Sequence, residues 1–322
     1  MKLVINIPCY NEEKTLPLVL KEIPKKIKGI SKIEVQIIDD GSTDNTVEVA
    51  KKLGVKRIIR HKQNRGLGVA FRTGIDKALK IAADIIVTID ADGQFNPKDI
   101  PALVQPILNE ECDVVTVSRF LKESVVTNMP FIKKIGNWIF TTIVNLLTGY
   151  NFTDSQCGFR AYSREAALRL NLKGKFTYTQ ETFINLIEQG MNIKEIPAEV
   201  RYFKERKSYI SGKLLRYGFK SLEIIIKTIR DIKPLEFFGI PGAISLTLGF
   251  IGSAYSLFYY LTTMTTSPVK QLFNVSVFFM IFGVSLIILA LLGDMMKTII
   301  LNQEEIIYRL KKQDYKREGK DE

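Results

Sequence analysis

The chain has 322 residues, a formal net charge of +12 and a single histidine, His61. This length allows one large domain and a smaller additional element, and the basic excess favours a polyanionic partner such as nucleic acid, anionic lipid or a phosphorylated substrate. The lone histidine argues against histidine-based catalysis, and the three widely spaced cysteines argue against a disulfide framework or a zinc site.

The N-terminal part of the chain alternates between strand and helix patterns. Strands are predicted at KLVINIP, KIEVQIID, VKRIIRH, ADIIVTID and CDVVTVSRF, and a segment with helical periodicity follows each of the first four. This alternation predicts an α/β fold with a Rossmann-like, mainly parallel sheet covered on both faces. Ligands bind such sheets beyond the carboxyl ends of the strands, where the polar clusters PCYNEE, DDGSTD, DADGQ and SRF lie.

Two acidic residues one position apart, Asp90 and Asp92, follow the fourth strand. If the strand continues, their side chains point the same way, and two convergent carboxylates repel each other unless a cation lies between them. The alternative is an Asx turn that closes the strand. This segment alone leaves both interpretations open.

Two common nucleotide-binding motifs do not occur in the sequence. No GxGxxG follows the first strand, and no GxxxxGK[ST] is found. Glycines do occur in RGLGVAFRTG, but this segment follows the third strand. A nicotinamide-dependent dehydrogenase and a P-loop enzyme are therefore disfavoured.

The C-terminal third contains two uncharged apolar runs, Phe237–Leu261 and Val275–Leu292. Each is long enough to cross a hydrocarbon layer of about 30 Å as a helix, and the alternative is a buried hairpin in a soluble core. Basic residues flank the pair on both sides, which by the positive-inside rule predicts a multi-pass protein of the cell membrane with the large domain and both termini in the cytoplasm. The predicted division is an α/β domain at 1–212, an amphipathic juxtamembrane helix at 213–233, a two-helix transmembrane hairpin at 234–300 and a cytoplasmic tail at 301–322. Within the tail, the segment from Gln303 to Glu322 is predicted to be a helix that frays into solvent.

Several motifs occur in a fixed order: IPCYNEEKTL, IIDDGSTDNT, NRGLGVAFRTGI, DADGQFNP, SRF and DSQCGFRAYSREA. Together they resemble the inverting glycosyltransferases of family 2, which have the GT-A fold. More closely, they resemble the polyprenyl-phosphate branch, which includes dolichyl-phosphate mannose synthase and the bactoprenyl-phosphate glucosyl- and aminoarabinosyl-transferases. The resemblance extends from Met1 to about Arg230.

This resemblance implies a nucleotide-sugar donor of the GDP-mannose or UDP-glucose type, a Mg²⁺ or Mn²⁺ ion and a polyprenyl or dolichyl phosphate acceptor. The implied donor-binding residues are Pro8, Tyr10, Glu12, Ile38, Asp39, Asp40, Asp90, Ala91, Asp92 and Arg119. The implied metal ligands are Asp90, Asp92 and Gln94. The predicted catalytic residues are Asp92, Asp154 and Arg119; Asp154 orients the acceptor, acts as a base or only caps the turn before Gly158.

The acceptor site is predicted in the basic segment EVRYFKERKSYISGKLLRYGFK. A lipid phosphate monoester carries close to two negative charges, so it needs cations to hold it rather than a strong base. The family shows a Ser-Lys pair in this region, whereas here Ser208 is followed by Tyr209. The predicted acceptor-phosphate residues are Lys204, Arg206, Ser208 and Lys213. The alternative is a solvated basic face that lies on anionic lipid.

Two amphipathic segments, Phe131–Gly149 and Lys213–Asp231, are predicted to lie in the plane of the membrane interface. The alternative is that each is an ordinary core-facing helix. An interfacial position would suit an enzyme that meets its acceptor at the membrane surface.

The sequence therefore predicts a membrane-anchored, metal-dependent, inverting glycosyltransferase that acts on a polyprenyl phosphate at the cytoplasmic face. A processive polysaccharide synthase is disfavoured, since the only tryptophan, Trp138, lies in GNWIF and the QxxRW motif is absent. Another membrane acceptor and a non-catalytic nucleotide-binding membrane protein remain as alternatives. A nucleic-acid partner would explain the charge but not the two apolar runs, and a homo-oligomer is compatible with the sequence without any signature for it.

Overall fold

The structure is a computed structural model that describes residues 1–127, 129–172, 178–201, 226–227 and 229–318. The chain divides into two compact units. The first unit takes in Met1–Arg206 together with Glu304–Glu322, and the second takes in Lys207–Gln303.

A seven-stranded sheet with the order β3-β2-β1-β4-β7-β5-β8 forms the centre of the first unit. Its strands are β1 (Lys2–Cys9), β2 (Lys32–Asp39), β3 (Arg57–Arg60), β4 (Ile85–Thr88), β5 (Val114–Ser118), β7 (Arg160–Ser163) and β8 (Ile193–Pro197). All neighbouring strands are parallel except β7, which runs antiparallel to both β4 and β5. The shorter strands β6 (Val125–Thr127) and β9 (Glu199–Arg201) form a separate parallel pair. The mainly parallel sheet is thus confirmed, with one antiparallel strand that the sequence did not indicate.

Helices cover both faces of this sheet. They are α1 (Leu16–Glu22), α2 (Thr46–Lys52), α3 (Leu67–Lys80), α4 (Ile100–Leu108), α5 (Phe131–Thr148), α6 (Arg164–Arg169) and α7 (Thr179–Glu188). Alternate residues of β1 pack on opposite sides: Leu3 and Ile5 join the cluster that contains Leu103 of α4, and Val4 joins the cluster that contains Phe71 of α3. Because β1 is buried on both faces, its sequence is a continuous apolar run rather than an alternating one.

The second unit contains a π-helical turn at Leu235–Gly239, helix α8 (Ile240–Thr263) and most of helix α9 (Lys270–Glu318). Two segments, Leu235–Thr263 and Lys270–Tyr315, are long and apolar enough to cross a membrane. Only 17% of each apolar window is buried, which differs from the mostly buried core helix of a soluble protein.

Small residues bring the two long helices together. Gly242 of α8 lies against Gly283 of α9, and Gly249 lies against Ser276. Increasing numbers on α8 therefore pair with decreasing numbers on α9, as in an antiparallel hairpin. The hydroxyl of Ser245 donates to the carbonyl of Phe279 at 2.8 Å, which satisfies a side chain that is buried between the two helices.

The last turns of α9, from Glu304 onward, belong to the first unit and pack against the rest of it. Tyr308 is only 7% exposed and belongs to the same cluster as Phe71 and Leu186. The guanidinium of Arg169 lies 4.1 Å from the centre of the Tyr308 ring, and Lys311 Nζ donates to the carbonyl of Leu170 at 2.8 Å. The tail is helical as expected, but the expectation that it frays into solvent is wrong for this segment, because one face of it completes an apolar core.

Candidate active site

Strand β1 is parallel to β2 and β4, and β7 is antiparallel to both β4 and β5. Strands β1, β2, β4 and β5 therefore all run in the same direction, and their carboxyl ends share one edge of the sheet. The antiparallel β7 begins at this same edge, where Arg160 pairs with Thr88 and Thr116. Segment 154–158, which precedes β7, therefore reaches the edge from the opposite direction. The predicted residues that lie at this edge are Pro8, Tyr10, Glu12, Ile38, Asp39, Asp40, Asp90, Ala91, Asp92, Gln94, Arg119 and Asp154.

Strand β4 ends at Thr88, so Asp90 lies in an irregular segment and Asp92 lies in the turn that follows it. Asp92 closes this turn: its Oδ1 accepts from the backbone N–H of Gln94 at 3.0 Å and its Oδ2 from Gln94 Nε2 at 2.6 Å. The Asx turn proposed as an alternative is present at Asp92. It is also compatible with cation binding, because each carboxylate oxygen has further lone pairs to offer.

Asp90 packs against the backbone of Gly158. A Cβ atom at position 158 would lie 3.1 Å from Asp90 Oδ2 and 2.9 Å from the hydroxyl of Tyr178. A glycine at this position therefore leaves room for the Asp90 carboxylate. Glycine is the residue typically found where the backbone must approach another group this closely.

The oxygen atoms of Asp90, Asp92 and Gln94 fit a hard divalent cation such as Mg²⁺ or Mn²⁺, which prefers oxygen ligands. Among the described residues, no three Asp, Glu, His or Cys side chains form a metal-binding group. An ion held by these residues would take the rest of its ligands from a bound diphosphate and from water.

The turn after β2 is joined to the turn after β3 through Asp40. Asp40 Oδ1 accepts from the backbone N–H of Arg65 at 3.0 Å and lies 2.7 Å from His61 Nδ1, while Oδ2 accepts from the N–H of Gly66 at 2.8 Å. Gly41, with φ +78°, brings the two turns so close that a Cβ atom would lie 2.6 Å from the carbonyl carbon of Gln63. Asp40 therefore orients the loop that opens α3, and its predicted contact with the donor stays a prediction.

The other donor-side positions differ in accessibility. Ile38 and Asp39 are fully buried and Asp39 Oδ2 lies 3.0 Å from Arg60 Nε, whereas Tyr10 and Glu12 are half-buried. The backbone of the β1–α1 loop is held by the β2–α2 loop, for example through the bond from the N–H of Glu12 to Thr46 Oγ1 at 2.9 Å. Pro8 and Ala91 are buried beside them and can contribute only through shape and backbone.

Arg119 and Asp154 form a two-pronged ion pair. Arg119 Nε donates to Asp154 Oδ2 at 2.6 Å and its NH2 group donates to Oδ1 at 2.8 Å, and the Arg119 backbone N–H also donates to Oδ2 at 3.1 Å. Asp154 is fully buried, and its Oδ1 also caps a turn by accepting from the N–H of Gln156 at 3.1 Å. This geometry suits Asp154 better for orienting Arg119 than for removing a proton, because each of its two oxygens already accepts from two donors.

Cys157 lies next to this pair but does not fit the role of a nucleophile. It is 1% exposed, and burial raises the pKa of its thiol to about 12. The reactive form of cysteine is the thiolate. Cys157 therefore acts as a packing residue.

The predicted acceptor-phosphate residues Lys204, Arg206, Ser208 and Lys213 lie outside the described residues, as does most of the amphipathic segment 213–231. The described chain leads up to them at Arg201 of β9, whose N–H donates to the carbonyl of Gln94 at 3.0 Å. The basic segment therefore starts beside the loop that carries Asp90 and Asp92.

Helix α5 exposes several large apolar residues on its outer face and buries Asn137, Thr141, Val144 and Leu147 on its inner face. Trp138 and Leu146 are each 70% exposed and Phe131 is 75% exposed, whereas the inner residues Asn137 and Thr141 bond to segment 153–155. The inner face therefore packs on the core and helps to hold the Asp154 loop, and the interfacial position of the outer face stays a prediction.

The family model described as "Glycosyl transferase family 2" matches residues 4–170, which include every strand of the sheet except β8. The chain belongs to this family. The resemblance drawn from the motifs is thereby confirmed.

Relatives of this family 2 glycosyltransferase match about two thirds to three quarters of its chain. An uncharacterised protein of Methanocaldococcus jannaschii is 41% identical over 69% of this chain and 89% of its own length. The UDP-N-acetylglucosamine–dolichyl-phosphate N-acetylglucosaminyltransferase of Methanococcus voltae is 36% identical over 66% of this chain and 90% of its own. The dolichol-phosphate mannosyltransferase of Pyrococcus furiosus is 28% identical over 75% of this chain and 68% of its own. The latter two relatives are named for transfer to a dolichyl phosphate.

Among solved structures, the family 2 glycosyltransferase is similar to the glucosyl-3-phosphoglycerate synthase of Mycobacterium tuberculosis in complex with Mn²⁺, UDP and glucosyl-3-phosphoglycerate. The TM-score is 0.53 at 22% identity, over 71% of this chain and 78% of that one. At this identity the likeness concerns the fold, and the predicted GT-A fold followed by two long apolar helices is confirmed.

Sequence reasoning missed two residues that hold the site together, His61 and Glu195. His61 was considered only as a possible catalyst or metal ligand, yet it lies between Asp40 and Thr73. Glu195 binds the loop that carries Asp154. An acidic residue in the apolar strand pattern IKEIP was the available signal for Glu195, whereas the position of His61 just after β3 gave no comparable signal.

Proposed function

We propose that this protein transfers one sugar from a nucleotide-diphosphate sugar to a polyprenyl phosphate, with inversion at the anomeric carbon, on the cytoplasmic side of a membrane. From an α-linked donor the product is then β-linked. The observation that carries the proposal is the meeting of three features at one sheet edge: the Asp90–Gln94 loop, the Arg119–Asp154 pair and the residue at which the basic segment begins.

In this proposal Asp90 and Asp92, with Gln94 beside them, hold a Mg²⁺ or Mn²⁺ ion. When bound, the ion supplies Lewis-acid neutralisation of the diphosphate, which makes the nucleotide a better leaving group. The Mn²⁺ ion bound together with UDP in the related synthase supports a divalent ion of this kind.

Arg119 contributes a fixed positive charge next to this loop. Because Asp154 accepts from Nε and NH2, the guanidinium plane is held in one orientation before any substrate binds. Prepositioned charge of this kind stabilises negative charge that develops on the donor as its bond to the sugar breaks.

The acceptor phosphate needs no strong base, because its oxygen is already a nucleophile. The basic residues Lys204, Arg206 and Lys213, with Ser208, are proposed to hold it in line for attack. Catalysis then depends on orientation and charge neutralisation more than on proton transfer.

A membrane acceptor is supported by the apolar surfaces of both units. The hairpin α8–α9 is antiparallel and largely unburied, so it returns its two ends to the same side, and the basic flanks favour the cytoplasmic side. The outer face of α5 carries Phe131 and Trp138 next to Lys133 and Lys134, a combination suited to the interface of an anionic membrane. The names of the curated relatives point to the same class of acceptor.

The deciding experiment is transfer of radiolabelled sugar into an organic-extractable lipid. The full chain in detergent is given Mn²⁺ or Mg²⁺, a polyprenyl phosphate and each of a panel of UDP- and GDP-sugars. We expect a lipid product that mild acid cleaves and that EDTA abolishes. Absence of lipid product with every donor, while nucleotides still bind, would instead favour another acceptor or a non-catalytic role.

A matched pair of variants tests the metal assignment in the same assay. Asp92→Asn should lower metal-dependent transfer by about 10²–10³-fold, the cost of removing one well-placed electrostatic group. Asp113→Asn is the control, since Asp113 lies at the other edge of the sheet and accepts from the N–H of Asn192, as an asparagine can also do. Full activity of Asp92→Asn would refute the assignment.

A further inference from the structure

Glu195 of β8 binds the loop that carries Asp154. Its Oε1 accepts from the backbone N–H of Thr153 at 3.1 Å and of Asp154 at 3.0 Å. Its Oε2 accepts from the N–H of Thr153 at 2.9 Å and from Thr153 Oγ1 at 3.0 Å. One carboxylate therefore fixes two successive residues of the loop, with both of its oxygens engaged.

The loop is also joined to the strand that carries Arg119. Ser118, the last residue of β5, lies with its Oγ 2.5 Å from Thr153 Oγ1. Because Thr153 Oγ1 donates to Glu195, Ser118 is the donor in this bond, and its Oγ accepts in turn from the N–H of Phe120 at 3.1 Å. The residues before and after Arg119 are thus held by the same network.

We propose that Glu195 is a positioning residue that acts through Asp154: it fixes the Asp154 loop, and the loop fixes the orientation of the Arg119 guanidinium. The effect of Glu195 on the rate of sugar transfer rests on the proposed function, whereas its effect on the orientation of Arg119 does not. Glu195 does not itself touch the site edge, because its oxygens are directed at the loop behind Asp154.

A purely structural reason for Glu195 is weak. The carboxylate is partly buried beside Asp154, another negative charge, and burial is the main cause that raises its pKa above the usual range for glutamate. Such a placement costs free energy that an apolar residue would avoid. The ion pair of this network joins Arg119 to Asp154.

The first test observes Arg119 directly, without any substrate. In the ¹⁵N-labelled full chain in detergent, the Nε–H signal of Arg119 is assigned by its loss in Arg119→Lys. We expect this proton to exchange slowly in the wild type and quickly in Glu195→Ala, with a shifted signal. Glu195→Gln should preserve the signal, because the amide oxygen can accept from both backbone N–H groups and the amide nitrogen can donate to Thr153 Oγ1.

Two further variants keep this test decisive. Glu111→Ala removes an exposed glutamate that pairs with Lys194, the neighbour of Glu195 on β8, and should leave the Arg119 signal unchanged. If Glu195→Ala does not fold, Glu195→Asp is read in the same way, since it keeps the charge but is one methylene too short to reach the loop. An unchanged Arg119 signal in the folded variant would overturn the proposal.

The second test is a double-mutant cycle on sugar transfer. Glu195→Ala should lower kcat/KM by about 10²-fold, the effect of a misplaced group near the reacting atoms, and Glu195→Gln should recover most of it. Because Glu195 acts through Arg119, the double variant Glu195→Ala/Arg119→Ala should be no slower than Arg119→Ala alone. If the losses of kcat/KM in the two single variants multiply in the double variant, the proposal is refuted. If the wild type transfers no sugar, the proposed function fails, and the Arg119 signal alone decides the inference.

Discussion

Replacing Tyr308 with alanine should destabilise the first unit, although this residue follows the two long apolar helices in the sequence. The Tyr308 ring is 7% exposed within the cluster that contains Phe71 and Leu186, and it lies under the guanidinium of Arg169 at 4.1 Å. Lys312 Nζ donates to its hydroxyl at 2.6 Å. The substitution removes all of these contacts and leaves a cavity.

The magnitude follows from the buried area. An aromatic side chain buries about 150–250 Å², which at about 25 cal/mol per Å² corresponds to roughly 4–6 kcal/mol. Partial collapse of the site reduces this to the range of about 3–5 kcal/mol found for other buried aromatic residues changed to alanine. With a urea m-value of about 3 kcal/mol/M for a unit of this size, the midpoint should fall by roughly 1–1.7 M.

Pulse proteolysis of the full chain in detergent and urea measures this midpoint, because the protease digests only the unfolded fraction. The control is Leu310→Ala, two residues further along α9, where the side chain is 55% exposed and the expected change is within about 0.5 kcal/mol. Equal midpoints for Tyr308→Ala and Leu310→Ala would refute the reasoning and indicate that the tail is a solvent-exposed helix.

Three further predictions concern the site and the membrane. Gly158→Ala should weaken Mn²⁺ binding in the presence of nucleotide, measured by electron paramagnetic resonance, because its Cβ would lie 3.1 Å from Asp90 Oδ2 and 2.9 Å from the Tyr178 hydroxyl; unchanged affinity would separate Asp90 from the metal. Trp138, the only tryptophan, should be quenched by brominated lipids in vesicles and protected from iodide, whereas the reverse would place α5 in water. Arg206→Ala should raise the KM for polyprenyl phosphate and leave the KM for the donor unchanged. If only the KM for the donor changes, Arg206 does not belong to the acceptor-phosphate site.

The fold and the family could be predicted because their signals are local. Each strand is a short apolar run bounded by a polar turn, and the alternation with helices dictates a parallel sheet whose carboxyl ends share one edge. The sequence alone therefore predicts that the DADGQ and SRF clusters lie at the same edge of the sheet. The antiparallel β7 escaped prediction, because RAYS is too short for its periodicity to be recognised.

The supporting network of the site was beyond sequence reasoning, because its partners are distant in the chain. Glu195 binds residues 41 and 42 positions earlier, and neither periodicity nor motif spacing specifies such a pair. Asp154 was recognised as important, but its partner Arg119 lies 35 positions away. The Arg119–Asp154 pair, which gives each residue its function, was therefore left open.

The tail was misjudged for a related reason. Its lysines and glutamates at helical spacing are typical of a solvated helix, and Tyr308 alone gave no indication of burial. The contacts of Glu304 and Lys311 with segment 165–189 depend on a surface that only the folded unit creates.

The burial of Tyr308 has a consequence for the order of events during synthesis. A ribosome adds roughly 5–20 residues per second, so several seconds pass between the synthesis of Arg206 and that of Tyr308. During this interval the cluster around Phe71 and Leu186 lacks one of its aromatic members. The enzyme can therefore finish folding only after the ribosome has translated both long apolar helices, and the nascent chain must tolerate an incomplete core until then.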